Sequence, residues 1–396
     1  MKTATALVTT VIALGITVPG PAGAEPPDSG SAQRALDATS VRLGPVRDLP
    51  SGPGGSAQSR RLDTAPYTMV ALTWRGAATP DVDVRTRSGR SWSRWHDLAL
   101  LTEHGRDAGT GEAPTPSALS STELLWAGRS DGVQVRVHGD AGRRTRVRLV
   151  DSRTLPTDGQ TAPAPSPRDR VPDDAPDPTD APQPDIRSRG EWGADESWRN
   201  GGPTYNGTIK QAHIHHTAGT NVYRRVDVPA IIRGDYWYHT QVLGWSDLGY
   251  NFVVDRFGRL WEGRAGGVDR PVRGAHTLGF NHASFGVAAI GDFEVAEPRP
   301  ELVRALARLS AWKLDGYDRE PAGRAWVTSQ GSDRYPEGTR VRLPVIDGHR
   351  DTNETACPGE NLYAELPEIR KRAQRRADGS ALLAERPART NPVASR

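Results

Sequence analysis

The sequence predicts two units of different class: an all-β, sandwich-like domain, then an α/β domain whose mixed sheet is flanked by helices. Three observations carry this reading. From Tyr67 to Val150, short runs rich in β-branched and aromatic residues are separated by Gly, Ser or Asp, with no amphipathic helix among them. Proline then recurs from Pro156 to Pro184. From Ile186 onward, strand-like and helix-like patterns interleave, as in a sheet covered by helices.

Residues 1–24 read as an export signal: Lys2, an apolar stretch from Ala4 to Val18, then Ala22-Gly23-Ala24, cut after Ala24. The stretch is too short for a stable membrane span. The mature chain is therefore expected to be secreted, extracellular or associated with a cell wall, without stable membrane insertion. Residues 25–60, rich in Gly, Pro, Ser and Arg, read as a disordered lead with one strand near Val41–Leu49. The β-rich domain spans 61–153, with strands at Met69–Trp74, Val82–Thr86, Trp92–Leu98, Val133–Val137 and Arg146–Val150. Val133, Val135 and Val137 alternate with Gln134 and Arg136, which buries one face. Several such strands in succession predict an antiparallel sandwich. Trp92, Trp95 and Trp126 are expected as core anchors, with a sugar-stacking platform as the alternative. Residues 154–185, with Pro interleaved with Asp, Ala and Thr, read as an extended, semi-rigid linker separating the β-domain from the residues with chemical potential.

The second domain covers 186–377. Gln211–Thr217 reads as a strand carrying histidines. Asp227 with Pro229 marks a helix start, and that helix runs to about Val242. Gly249–Asp255 and Arg259–Gly263 form a hairpin around Phe257-Gly258, and Phe285–Ile290 is apolar throughout, as a central strand should be. After Pro300, the spacing of Leu302, Leu306, Leu309 and Trp312 is helical, and a last helix spans Leu366–Ala377. Residues 378–396 read as a polar tail.

Composition narrows function. The 396 residues are 36% apolar and 25% charged, enough for real cores. The net charge is +3, the only lysines are Lys2, Lys210, Lys313 and Lys371, and the arginines are spread along the chain. That distribution argues against nucleic-acid binding, and the arginine-heavy balance resembles that of a high-GC bacterium. No feature points to an oligomeric state. The single cysteine, Cys357, excludes an internal disulfide, and an exported free thiol is an oxidation liability unless it is used.

Cys357 follows His349 by eight positions in GHRDTNETACP, and AHIHHTAGTN offers His213, His215 and His216 far upstream. Two imidazoles and a thiolate make the ligand set of an open Zn²⁺ site, with a fourth position left for water. The bland alternative is a buried structural cysteine among unrelated histidines. Strand alternation puts His213 and His215 on one face and His216 on the other, so spacing leaves both of the first two as candidates.

Taken whole, the motifs RSRGEWGAD (187–195), HIHHTAGTN (213–221), GWSDLGYNFVVDRFGRLWEGR (244–264), GAHTLGFNHASFGVAAIGDF (274–293) and GHRDTNETACPG (348–359) resemble the peptidoglycan recognition proteins and phage-type N-acetylmuramoyl-L-alanine amidases. They follow the family order over roughly half the chain. The resemblance implies a zinc groove across a mixed sheet, with His215, His349 and Cys357 as ligands. It implies Zn²⁺-dependent cleavage of the amide between the muramic acid lactyl group and L-alanine, with the glycan strand and stem peptide of peptidoglycan as partner. It implies catalytic roles for Tyr250 in GYNF, for Thr355 and for His276, and groove contacts for His216, His239, Arg264 and Asn281. Ala288 stands where another branch carries a glutamate base. Ala265-Gly266-Gly267 replaces the stem-peptide contacts that follow WEGR in animal members, and residues 314–347 suggest an extra groove wall. A non-catalytic binding module is the alternative; members that only bind typically lack the ligand cysteine. A structural zinc site and a zinc endopeptidase are further alternatives. Asp351 is read either as a partner that orients a ligand or as a salt bridge to Arg350.

Overall fold

The computed structural model describes residues 36–42, 56–101, 119–139, 143–158 and 181–384. The export signal (1–24), the centre of the linker (159–180) and the end of the tail (385–396) lie outside the described residues.

The first domain is all-β. Its strands are β1 (Leu36–Arg42), β2 (Ser56–Gln58), β3 (Leu62–Arg75), β4 (Asp81–Ser88), β5 (Ser91–Trp92), β6 (His96–Asp97), β7 (Ser120–Ser121), β8 (Leu125–His138) and β9 (Arg143–Ser152). They pair antiparallel in the order β1-β9-β3-β8-β4-β5. The period of two does what the sequence promised. Val82, Val84, Val133, Val135 and Val137 enter one core with Leu72, Trp74 and Leu149. The lead is a correction: β1 and β2 lie within the stretch read as disordered, and β1 pairs with β9 from Leu36↔Ser152 to Arg42↔Arg146. An edge strand gains its order from ladder hydrogen bonds to a neighbour, which local composition does not reveal. Trp92 and Trp95 are neither core anchors nor an open platform. Their faces are taken by guanidiniums, with Arg85 at 5.2 and 4.8 Å from the two ring centroids, Arg61 at 5.3 Å from Trp92 and Arg136 at 3.8 Å from Trp95.

The second domain comprises β10 (Ile186–Arg187), β11 (Gln211–His216), α1 (Val228–Trp237), β12 (Phe252–Val254), β13 (Leu260–Glu262), β14 (Ser284–Ala289), α2 (Pro300–Asp315), β15 (Arg324–Thr328), β16 (Arg340–Pro344), β17 (Ile346–Gly348), α3 (Glu360–Ala364) and α4 (Leu366–Ala384). Its sheet runs β10-β13-β12-β14-β11-β17 and is parallel except for the β12–β13 hairpin. Leu302, Leu306 and Leu309 of α2 share a core with the sheet residues Ile214, Val254 and Val287 and with Ile369 of α4. Helix α4 continues past Ala377 to Ala384, into the stretch read as polar tail. The inserted stretch after α2 folds as a separate β15–β16 hairpin with its own small core around Phe280, Val327 and Leu343. No helix of the described residues is long and apolar enough to cross a membrane.

The proline-rich segment separates the domains in sequence but not in space. Helix α1 is buried on nearly all sides, as a helix between two partners must be. One side faces its own sheet and the other meets the first domain. A Cβ on Gly234 would stand 2.1 Å from the Met69 sulfur, so a larger residue here would force the Met69 side chain to move where β3 approaches the helix. The Ser152 hydroxyl donates to the Ala230 carbonyl at 2.5 Å. Met69, Leu101, Leu124, Trp126 and Val150 join Ile231, Tyr236, Tyr238, Trp245 and Tyr250 in one apolar cluster. At the linker's start, Asp158 takes both terminal nitrogens of Arg233 at 2.7 and 2.8 Å, with both side chains 2% exposed. The same guanidinium donates to the Trp192 and Arg153 carbonyls, each at 2.7 Å. Arg233→Ala would leave a buried carboxylate unpaired, and should lower the unfolding free energy by about 3–5 kcal/mol in denaturant titration of the full chain.

Candidate metal centre

Parallel pairing builds the site. β11 lies between β14 and β17, with His215 opposite Ala288 and Ile214 opposite Gly348. His215, the penultimate residue of β11, and His349, the first residue after β17, therefore arrive at the same end of the sheet, with ring centroids 4.6 Å apart. After His349 the chain makes a short helical turn, in which the His349 carbonyl accepts from the Thr352 and Asn353 amides, each at 3.1 Å. It then returns, and the Arg350 amide donates to the Cys357 carbonyl at 2.9 Å. This brings the Cys357 sulfur 3.7 Å from His215 Nδ1 and 3.4 Å from the His216 amide, which donates to it. One ligand atom each from His215, His349 and Cys357 lie within 4.8 Å of one another, all three buried.

The remaining histidines occupy distinct places. His213 shares the face of His215, but its Nδ1 is held 2.5 Å from Asp347, whose other oxygen accepts from Gln211 at 2.9 Å. Burial raises the Asp347 carboxyl to about 6, against the pull of His213. His276 Nδ1 lies 3.1 Å from His215 Nε2. Its ring lies against Gly286, where a Cβ would come within 2.4 Å of it; glycine in the apolar run FGVAAI is what admits the imidazole. His216 points to the opposite side, where its Nδ1 accepts from the Phe293 amide at 3.2 Å, and burial together with Arg350 lowers its pKa to about 3. His239 stacks on Trp245 at 4.3 Å and accepts from the Gly249 amide at 3.2 Å.

Tyr250, 2% exposed, sets its ring 5.5 Å from that of His215. Burial holds its phenol well above the ordinary range, followed by the charges of Glu123, Cys357 and Asp235. The Thr355 hydroxyl accepts from the Cys357 amide at 3.1 Å, which leaves its own proton for another acceptor. Two groove candidates serve the framework instead. Asn281, fully buried, accepts from the His276 and Thr277 amides at 2.9 and 3.1 Å. Arg264, 5% exposed, donates to the Leu248 and Arg273 carbonyls at 2.8 and 3.3 Å. Both satisfy backbone groups that a curved loop cannot pair internally. Asp351 fits neither sequence expectation: it accepts from the Gly348 amide at 2.9 Å and the Tyr363 hydroxyl at 2.7 Å. Arg350 pairs instead with Glu360 and Glu294, at 2.7 and 3.2 Å. The sequence reading missed Asp347, which carried a signal: it stands two residues before His349 on a short strand.

With this geometry in view, comparison with known proteins divides the chain in two. Residues 24–173 match the Rv3811 N-terminal galactose-binding domain-like family, and residues 205–360 match the N-acetylmuramoyl-L-alanine amidase family. The chain is 29% identical to peptidoglycan-recognition protein SC1a of Drosophila melanogaster, over 46% of its own length and 83% of that protein's. It is 33% identical to human peptidoglycan recognition protein 3, over 46% of its length and 45% of that protein's. Among solved structures, wild-type Drosophila PGRP-LB aligns at 27% identity and a TM-score of 0.36, covering 46% of this chain and 92% of that one. The second domain thus matches the N-acetylmuramoyl-L-alanine amidase family model and is similar to the peptidoglycan recognition proteins.

Proposed function

We propose that the protein is an exported, Zn²⁺-dependent N-acetylmuramoyl-L-alanine amidase that cleaves between the muramic acid lactyl group and the L-alanine of the stem peptide. The convergence of His215, His349 and Cys357 carries this reading. Ligands about 2.0–2.3 Å from a tetrahedral Zn²⁺ stand about 3.3–3.8 Å apart. The 3.7 Å between the Cys357 sulfur and His215 Nδ1 fits that spacing. Three ligands among the described residues, rather than the four of a structural zinc site, leave a position for chemistry. His213, engaged by Asp347, supports the set from outside.

When bound, the ion polarises the scissile carbonyl and lowers the pKa of a water toward neutrality. The residues around it divide the other tasks. With Nδ1 of His215 toward the metal, its Nε2–H donates to His276 Nδ1 and fixes the ring. Tyr250 donates its phenolic proton to orient the attacking water and assists proton transfer to the leaving amine. The Thr355 hydroxyl donates to the developing oxyanion, more weakly than a lysine would. His239 lines the groove flank, Asn281 and Arg264 shape its loops, and His216, on the opposite side of the strand, braces the loop at Phe293. His276 thereby becomes a residue that holds a ligand rather than an acid or base. His276→Ala, or Gly286→Ala, which drives a methyl into its ring, should weaken zinc affinity about 10–100-fold in competition titrations.

The deciding experiment digests purified peptidoglycan with the full mature chain, with and without chelator, and reads the products by mass spectrometry. Free stem peptides beginning with L-alanine, lost on chelation and restored by Zn²⁺, establish the amidase. Retention on the wall with intact muropeptides would favour a binding module, and cuts within the stem would indicate an endopeptidase.

A further inference from the structure

The hairpin inserted between α2 and β17 has two faces of opposite character. Its strands pair from Arg324↔Pro344 to Thr328↔Arg340, with Trp326 opposite Arg342. Paired residues share a face, so alternation sorts the side chains into two sets. Ala325, Val327, Val341 and Leu343 point inward and pack with Phe280. Arg324, Trp326, Thr328, Arg340, Arg342 and Pro344 form the other face, and all but Pro344 are exposed.

Trp326 is 50% exposed, the one exposed tryptophan among the described residues. The Arg340 guanidinium stands 4.7 Å from its ring centroid. Arg324 donates to the Arg342 carbonyl at 2.7 Å, and Lys210 to the Trp326 carbonyl at 3.4 Å. Backbone oxygens thus hold two of the cations at this face without neutralising them. Among the described residues none of Lys210, Arg324, Arg340 and Arg342 forms an ion pair, although Asp318 and Glu320 share a cleft with Lys210, Arg324 and Trp326. Elsewhere Arg87, Arg189, Arg233 and Arg350 each meet a carboxylate. Four cations without counter-charges give this face a positive field that attracts a polyanion.

The face also lies beside the metal centre. Arg340 and Thr328 end the strands next to the hairpin's turn, and that turn grips the segment between His349 and Cys357. Ser332 donates to the Thr352 carbonyl at 2.8 Å, and Asp333 accepts from the Asn353 side chain and the Glu354 amide at 3.1 and 3.0 Å. Guanidiniums take carboxylates in a fork, and an exposed indole offers an apolar face for a sugar ring to stack on. A glycan strand bearing stem peptides with free carboxylates presents both groups on one polymer.

We propose that the outward face of the β15–β16 hairpin is an accessory binding surface for a second stretch of peptidoglycan: Trp326 stacks on a sugar ring, and Lys210, Arg324, Arg340 and Arg342 take stem-peptide carboxylates. This rests on the wall substrate proposed above, not on its cleavage.

The test measures retention of the full mature chain on insoluble peptidoglycan stripped of phosphodiester polymers, in the Cys357→Ala background so that the wall stays intact. Trp326→Ala, and the double variant Arg340→Gln with Arg342→Gln, should each weaken retention about 3–10-fold with Tm unchanged. The double variant should also flatten the loss of retention with added salt. With Cys357 and zinc present, both should turn over insoluble wall more slowly, while kcat and KM on a soluble muramoyl peptide with one stem stay within about twofold. Unchanged retention of both variants overturns the proposal. So does a loss seen only on wall that still carries phosphodiester polymers, a defect on the soluble peptide equal to that on the wall, or the failure of both variants to fold. Weakened retention in a chain that cuts neither substrate overturns the amidase reading alone and leaves the surface standing.

Discussion

Cys357→Ala is expected to abolish metal binding and wall cleavage together. Zinc content of the purified chain should fall from about one ion to a trace, because two neutral imidazoles without the thiolate form a weak and uncharged site. Hydrolysis should drop by at least about 10³-fold, since the same change removes both the activated water and the polarised carbonyl. The fold should tolerate it. Cys357 is 4% exposed, and alanine removes one sulfur atom while leaving the backbone turn that binds Arg350. The proper comparison is therefore metal-free wild type, against which the variant's Tm should differ little. Cys357→Ser sharpens the result: it nearly restores the volume, but a hydroxyl stays protonated where a thiol does not, and activity should stay lost. Added Zn²⁺ should rescue chelated wild type and neither variant. Cleavage that survives in Cys357→Ala would sink the metal mechanism; a wild-type chain that holds zinc but cuts nothing would leave recognition as the function.

How much of this was legible beforehand depends on the range of the interactions involved. The sheet strands of the second domain were readable because each carries its own pattern: the apolar run of β14, the hairpin around Gly258, the spacing of Leu302, Leu306 and Leu309. The three candidate ligands were readable because Cys357 has no sibling to pair with, and HIHH and GHRD sit at strand ends. Which of His213 and His215 joins the cluster was not readable from alternation, which places both on one face; the partner that occupies His213, Asp347, lies 134 residues away. Arg264 and Asn281 looked like groove residues because they are polar and lie within the motifs. Their hydrogen bonds go to loop carbonyls and amides, a destination that sequence does not encode locally. The docking of the two domains was hidden for the same reason. Gly234 interrupts a helix for no local purpose, Arg233 is a cation on a helix otherwise destined for burial, and each makes sense only once Met69 and Asp158 are in place. A proline-rich segment says how far the chain can extend, not whether the domains it joins will meet.

Tyr250→Phe is the substitution that separates chemistry from metal binding. It removes one oxygen from a ring that stays 5.5 Å from His215, in a cluster held by Tyr238, Trp245 and Leu248, so packing and zinc content should be preserved. The phenol is held above its ordinary range by burial and by the charges of Glu123, Cys357 and Asp235, so it is a donor at neutral pH and not a phenolate base. Loss of a donor aimed at the reacting water costs about 10²–10³-fold in kcat by analogy with other donors that act only in the transition state. KM should change little, because the lost bond belongs to the transition state rather than to ground-state binding. His276→Ala should give the opposite profile, with weakened metal affinity and near-normal turnover once zinc is saturating. If Tyr250→Phe instead loses zinc and activity in equal measure, the phenol supports the metal ligands and the proton must move through another group. If it loses neither, Thr355 becomes the remaining partly exposed hydroxyl beside Cys357 able to serve the reaction, and Thr355→Val should then carry the larger defect.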